Sequence, residues 1–438
     1  METFVMIAQF IMSLSLLVVL HEFGHFLPAR VFGMRVEKFY LFFDPYFSLF
    51  KFKKGETEYG IGWLPLGGYV KISGMVDESM DTESMNKPAE PWEFRAKPAW
   101  QRLIVMLGGV TVNFILGFFI FAMLLWVNGR SYLPMENVPA GILVDEKAKE
   151  LGLQEGDIIL QVGEKPFTEL NGGILLKEIV LESAKTITVN RNGQQLVLDL
   201  KPEQTEGLAS YKGQLIGARF TFVADSVIAG FPAAAAGMEK GDSLIGINNT
   251  PMAYYNEYVT YFTAHANESL VLNIVRNGEP RELNVTLNDK GQIGVQPRMI
   301  QMNSESYGLG QSLTGGVTKG VDFIGDQLKS FGKMFSGEIK ASESLGGFVS
   351  IGKLFPNTWD WTKFWHITAV LSLVLGFMNL LPIPALDGGH VVFLLIEMII
   401  GKPLPQKALE YFQMIGMLLL FGLLIFANGM DIFRLFKG

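Results

Sequence analysis

His21-Glu22-Phe23-Gly24-His25 is the stretch of this chain whose spacing specifies chemistry most directly. On a helix, residues i and i+4 share a face, so both imidazoles can bind one metal ion, and the glutamate between them can take a proton from a water the ion activates. The stretch follows an apolar run, residues 4–20, and with it forms a segment long enough to cross a bilayer. An ionisable residue at that depth costs about 2.5–3.5 kcal/mol or more, which disfavours a chance cluster. Two imidazoles do not complete a catalytic metal site, for which three protein ligands plus water are usual. The third must be His, Asp or Glu brought close by folding. The chain has five histidines, His21, His25, His265, His366 and His390, and no cysteine. The strongest candidate is Asp387, within Asn379-Leu380-Leu381-Pro382-Ile383-Pro384-Ala385-Leu386-Asp387-Gly388-Gly389-His390. Pro and Gly break the helix there, and broken backbone at membrane depth is tolerated only where it is buried in protein or lines a wet cavity. The competing reading makes Asp387 a cap for a helix beginning at Gly388. The unmatched pair His21 and His25 favours the ligand.

Apolar helices must position these residues. Of 438 residues, 49% are hydrophobic and 18% charged, with a mean hydropathy of +0.27; soluble domains average about 25% charged. This is the composition of a membrane protein with a substantial soluble part. Besides the first run, residues 103–127, 364–381 and 411–433 are apolar and long enough to span, and a shorter run, 391–400, continues the third span after its break. Met1-Glu2-Thr3 lacks the basic start of a signal peptide, so the first segment reads as a retained span. Arg30, Arg35, Lys38, Lys51, Lys53, Lys54 and Lys71 lie between spans one and two, and Lys402 and Lys407 precede span four. The excess of basic residues places both loops in the cytoplasm and residues 129–359 on the opposite side. Asp77, Glu78, Asp81 and Glu83 read as a solvated loop. A net charge of −7 without a basic stripe argues against nucleic acid as a partner. The lack of cysteine excludes thiol proteases, thiolate metal sites, iron–sulfur clusters and disulfides.

The segment between spans two and three is duplicated. Gly152-Leu153-Gln154-Glu155-Gly156-Asp157-Ile158-Ile159 recurs as Gly237-Met238-Glu239-Lys240-Gly241-Asp242-Ser243-Leu244, and Lys212-Gly213-Gln214-Leu215-Ile216-Gly217 as Lys290-Gly291-Gln292-Ile293-Gly294. The pattern, with short β-type runs beside it, resembles two tandem PDZ domains. Such domains bind an extended peptide by adding it to a sheet edge; neither copy shows an obvious carboxylate-binding loop, and a purely space-filling role is the alternative.

The HExxH span, the duplicated insert and the Asn-x-x-Pro-x-Pro-x-Leu-Asp-Gly stretch together resemble the site-2 protease family of intramembrane zinc metalloproteases. Their order and spacing are similar to those of the bacterial type that cleaves anti-sigma factors. The resemblance covers essentially the whole chain. It implies Zn²⁺ as cofactor, His21, His25 and Asp387 as its ligands, Glu22 as general base, and Asn379 holding the substrate backbone near the metal. It also implies that residues 57–71 form a membrane-associated β-hairpin beside the site. An edge of that hairpin, at Gly60, Ile61 and Gly62, would then pair with the unwound substrate. Gly108 and Gly109 read as helix packing, and Asn113 receives no catalytic role. His265, His366 and His390 read as structural, with His390 also a candidate for support behind Asp387. Relatives usually have proline where Phe348 follows Leu345-Gly346-Gly347, which puts the local turn in doubt but not the chemistry.

The expected fold is a polytopic α-helical membrane protein with four transmembrane helices, a membrane-associated β-hairpin and two inserted α+β PDZ-like domains. The boundaries are a first membrane half at 1–128, PDZ-like domains at 129–222 and 223–300, an amphipathic linker at 301–362 and a second membrane half at 363–438. The expected activity is hydrolysis of peptide bonds within transmembrane segments of single-span proteins that have lost their outer domains. Anti-sigma factors and remnant signal peptides are the expected substrates, and the bacterial cytoplasmic (inner) membrane, with its lipid, is the setting. The zinc would face the cytoplasmic half, and the PDZ-like pair on the far side would act as a size filter. Two rivals are a membrane-tethered PDZ adaptor without protease activity and a metal transporter; the latter leaves the repeats unexplained.

Overall fold

The computed structural model describes residues 2–65, 67–75, 88–340, 342 and 346–437. Asp77, Glu78, Asp81 and Glu83 lie outside the described residues, as does Leu345. The contacts divide the chain into two units, Met1–Gly129 with Ser306–Gly438, and Arg130–Glu305.

Among the described residues, the first unit contains four helices long and apolar enough to cross a membrane: Glu2–Val31, Ala99–Asn128, Trp361–Leu380 and Lys407–Arg434. At 1.5 Å per residue, a 30-residue helix such as the first reaches about 45 Å, more than a hydrocarbon core needs. Small and hydroxyl residues let these helices approach closely in a medium that offers no hydrophobic drive between them. A Cβ on Gly24 would lie 2.6 Å from the carbonyl carbon of Gly108 and 2.8 Å from Gly109 Cα, so spans one and two cross backbone to backbone. Ser13 and Thr368 share a hydrogen bond at 2.9 Å between spans one and three. Residues 391–400 follow span three after its break. They belong to a separate helix, Asp387–Ile400, whose Glu397 forms an ion pair with Arg102 of span two. Phe348 opens a short helix, Phe348–Gly352, pinned to the fourth span where Asp431 accepts from Ser350 N at 2.8 Å.

A four-stranded sheet follows span one: β1 (Val36–Leu41), β2 (Phe43–Lys54), β3 (Thr57–Leu64) and β4 (Tyr69–Ile72), in the order β2-β3-β1-β4. This corrects the expected hairpin. β3 and β4 do not pair; β1 lies between them, parallel to β3 and antiparallel to β4. The hairpin is β2–β3, turning at Gly55 and Glu56. Alternation within 57–71 marked strands correctly, but a period of two cannot say which strand is a strand's neighbour.

The second unit repeats one plan twice. Strands Gln194–Asp199, Thr186–Arg191, Ile158–Val162 and Lys165–Pro166 form one sheet in that order, and Glu279–Thr286, Ser269–Arg276, Ser243–Ile247 and Thr250–Pro251 form the other. Each repeat adds a two-stranded pair, Ile142–Val144 with Ile216–Ala218 and Ala224–Val227 with Val295–Pro297. Each has its own core, one around Leu151, Leu175 and Ile187, the other around Tyr258, Leu272 and Ile274. Phe222, assigned from the sequence to the first repeat, packs in the second core.

Candidate metal centre

Span one carries His21 and His25 on its buried face, each 8% exposed. Their rings meet edge to face at 4.9 Å between centroids, and their Nε2 atoms stand 3.3 Å apart. Asp387 is brought to them by the break between span three and the following helix. Span three stops at Leu380 because Pro382 and Pro384 cannot continue the ladder. Ala385 takes φ 71°, a left-handed conformation that costs a non-glycine residue about 1–2 kcal/mol. The turn is tight: a Cβ on Gly389 would stand 2.6 Å from Ile383 O, and one on Gly416 of the fourth span 2.6 Å from Pro384 Cβ. Asp387 is the first residue of the new helix, Leu386 occupies the cap position, and no side chain caps the helix. The cap reading of Asp387 is therefore set aside.

Asp387 Oδ2 stands 3.4 Å from His21 Nε2 and 3.3 Å from His25 Nε2. It is buried and has no hydrogen-bond partner among the described residues. Three electron-pair donors thus converge in a triangle with edges of 3.3, 3.3 and 3.4 Å. A tetrahedral ion with bonds of about 2.0–2.1 Å to nitrogen and oxygen sets its ligand atoms about 3.3–3.4 Å apart. The donor set fits such an ion in type and in spacing.

Span two supports the triangle from behind. His25 Nδ1 donates to Val105 O at 2.8 Å, which leaves Nε2 as the lone-pair atom. His21 Nδ1 lies 3.0 Å from the amide of Asn113, a fully buried residue. Gly109 makes room for both rings: a Cβ there would stand 2.6 Å from His21 Cε1 and closer still to His25 Nε2. Asn113, which receives no catalytic role from the sequence, stands against the His21 ring, and Gly109, expected in helix packing, also clears space for both imidazoles. The available signal was an amide in the middle of an otherwise apolar 30-residue helix.

Asn379, in the last turn of span three, places its amide 3.2 Å from His21 Nε2. Glu22 is half-buried, and a Cβ on Gly68, at the entry to β4, would lie 3.4 Å from its Cγ. Gly60, Ile61 and Gly62 lie on β3, an inner strand: Tyr40↔Gly60 and Leu41↔Ile61 pair towards β1, and Lys51↔Gly60, Phe50↔Ile61 and Ser48↔Gly62 towards β2. The backbone of Gly60 and Ile61 is not a free edge, which corrects the expected pairing with substrate at those two residues, and Gly62 is paired towards β2 alone. The glycines serve the sheet instead. A Cβ on Gly60 would strike the Tyr40 ring, and one on Gly62 would stand 2.6 Å from Phe42 O. Of the other histidines, His265 lies in the second unit with Nδ1 on Tyr261 O at 2.8 Å, His366 packs against Phe121, and His390 is one helical turn beyond Asp387. None belongs to the triangle.

Residues 9–423 match the model of peptidase family M50. The regulator of sigma-E protease RseP of Escherichia coli is 30% identical over 448 residues, covering 96% of this chain and 97% of that protein. The regulator of sigma E protease of Haemophilus influenzae is 29% identical over 98% of this chain and 99% of its own length. A Vibrio cholerae protein described as a candidate zinc metalloprotease is 28% identical over 97% and 98%. The chain belongs to peptidase family M50, the site-2 proteases, and is a membrane metalloprotease.

Proposed function

We propose that this member of family M50 hydrolyses peptide bonds within transmembrane segments, with His21, His25 and Asp387 holding one Zn²⁺. The observation that carries the reading is the 3.3–3.4 Å triangle of Nε2, Nε2 and Oδ2, placed among helices able to cross a membrane. Zinc bound there supplies a Lewis acid that brings the pKa of water towards neutrality. The Glu22 carboxylate takes a proton from the attacking water and returns it to the leaving nitrogen. Asn379 can donate to a substrate carbonyl and accept from an N–H in a place where water does neither. The substrate must first unwind, because helical peptide groups are occupied by their own hydrogen bonds. The sheet edge that can pair with an unwound strand beside Glu22 is β4, entered at Gly68, rather than Gly60–Gly62 of β3.

The substrates are single-span membrane proteins already stripped of their outer domains, anti-sigma factors among them and remnant signal peptides as a further group. The names of the Escherichia coli and Haemophilus influenzae relatives support the first class. The two repeats are PDZ-like domains that act as a size filter on the outer side of the bacterial inner membrane, with the zinc towards the cytoplasmic half. Basic residues in the loop after span one support this orientation.

The test is cleavage, in membranes, of a tagged single-span substrate lacking its outer domain. Glu22→Gln and Asp387→Asn should each lower the rate about 10²–10⁴-fold at unchanged protein level. Cleavage surviving Glu22→Gln would assign the cutting to another enzyme. Deletion of residues 130–300 should admit untrimmed substrates; continued rejection of them removes the filter role.

A further inference from the structure

Span two meets both imidazoles with backbone, Val105 at His25 and Gly109 at His21, and adds a buried side chain at the second. His25 donates from Nδ1 to the Val105 carbonyl at 2.8 Å, so its Nε2 is a lone pair aimed at Asp387. His21 Nε2 is the third corner of the same triangle and needs the same tautomer to act as a donor to a metal. With Nε2 bare, Nδ1 of His21 carries the proton and requires an acceptor. Two groups of span two stand against the ring: the backbone of Gly109, within hydrogen-bonding reach, and the Asn113 amide, 3.0 Å from Nδ1. In the structure the amide nitrogen faces the ring, while Asn113 Oδ1 is buried with no hydrogen-bond partner among the described residues. A half-turn of the amide, whose two ends have nearly the same shape, resolves both mismatches together. The backbone around Asn113 is set from the opposite side. Ser372 Oγ of span three donates to Asn113 O at 2.7 Å, and a Cβ on Gly376 would stand 3.3 Å from Asn113 Cβ.

We infer that Asn113 is a positioning residue whose Oδ1 accepts the Nδ1 proton of His21 and thereby presents Nε2 as a lone-pair donor to the metal. The inference rests on the reading of His21 as a zinc ligand. Asn113 touches neither substrate nor reacting atoms; it acts through the ring. Three spans meet in this contact, so the helix packing and the state of the imidazole are set by the same amide.

The experiment measures zinc affinity of the full-length protein in detergent by competition with a chromophoric chelator, with helix content followed by circular dichroism. Asn113→Asp keeps an acceptor and removes the donor, whereas Asn113→Leu removes both at similar volume. Asn113→Asp should bind zinc as tightly as wild type, and Asn113→Leu about 10–100-fold more weakly. Wild-type affinity in Asn113→Leu, or a loss in Asn113→Asp as large as that in Asn113→Leu, overturns the inference. Should Asn113→Leu fail to fold, Asn113→Asp decides alone, with a tenfold loss counting against. The underlying site is tested separately in the same titration. A wild type that takes up no zinc, or His21→Ala binding it undiminished, would overturn the ligand reading rather than the role of Asn113 alone.

Discussion

Asp157 and Asp242 of the duplicated unit and Asp387 of the first unit all place carboxylate oxygens out of solvent, and the two units treat these three residues in opposite ways. Asp157 and Asp242, in the duplicated unit, have fully buried side chains, and each is gripped by an arginine 34 residues downstream. Arg191 donates to the two oxygens of Asp157 at 2.7 and 2.8 Å and Arg276 to those of Asp242 at 2.7 and 2.6 Å. A backbone N–H completes each pair, Gln154 and Glu239 at 2.9 Å. The same arginines donate to the carbonyls of Gly152 and Gly237, so each pair closes the turn that the Gly-Asp motif begins. Asp387 has nothing of this kind: its buried Oδ2 faces two imidazole nitrogens that share its need for a positive partner. A buried carboxylate that is fully satisfied holds a fold together. One left unsatisfied among other lone pairs suits a cation.

Removing the charge should therefore have opposite consequences in the two places. The largest effect is on activity. Asp387→Asn should lower cleavage about 10²–10⁴-fold while the metal-free protein melts no lower than metal-free wild type, since no arginine or backbone N–H grips the buried Oδ2. A lower melting temperature would make Asp387 a structural residue like the other two. Next in size is Gly109→Ala, which puts a methyl group against both rings and should cost about 10²-fold in cleavage rate, the scale of a 1 Å misplacement. Unchanged activity would mean that span two does not confine the imidazoles. Asp242→Asn should instead spare the membrane chemistry and destabilise residues 223–300 by about 3 kcal/mol, read as faster proteolysis or hydrogen exchange in that repeat.

The smallest effect is on pH dependence, and it sharpens the same contrast. Burial pushes the Asp242 carboxyl up, but hydrogen bonds from Arg276 and from the Glu239 N–H outweigh it and hold the group below the ordinary carboxylate range. A carboxyl lowered on folding adds stability above its unfolded pKa and loses it as the pH falls through the lowered value. Hydrogen-exchange protection of the second repeat should hold near neutrality and decline only in acid, below about pH 4. A decline beginning near neutrality would remove the Asp242–Arg276 pair as its cause.

Much of the molecule is legible along the chain because the signals are local. The i, i+4 histidines, the apolar runs and the repeated Gly-Asp turn each sit within a few residues, so periodicity and spacing reveal them. The partner arginines of the repeats are less visible. Their common 34-residue offset from Asp157 and Asp242 becomes meaningful only when the sheet lays Arg191 and Arg276 beside the turns. The region 57–71 misled for a related reason. Its glycines look like an exposed hairpin around Pro65, whereas β1, from before the hairpin, inserts between β3 and β4, and Tyr40 lies across Gly60.

By itself, then, the sequence determined four membrane-length helices, a duplicated insert, an i, i+4 histidine pair at His21 and His25 and an acid at a helix break. Each follows from the short-range geometry of helix and turn. Tertiary structure alone decided that Asp387 Oδ2 comes within 3.4 Å of both rings, that Gly109 clears space for them, that Asn113 stands behind His21, and that β3 is an inner strand. These depend on which helices pack together and at what height. That choice is made by close glycine crossings and a few buried hydrogen bonds between residues far apart in the chain, such as Ser372 with Asn113, and spacing along one chain does not encode it.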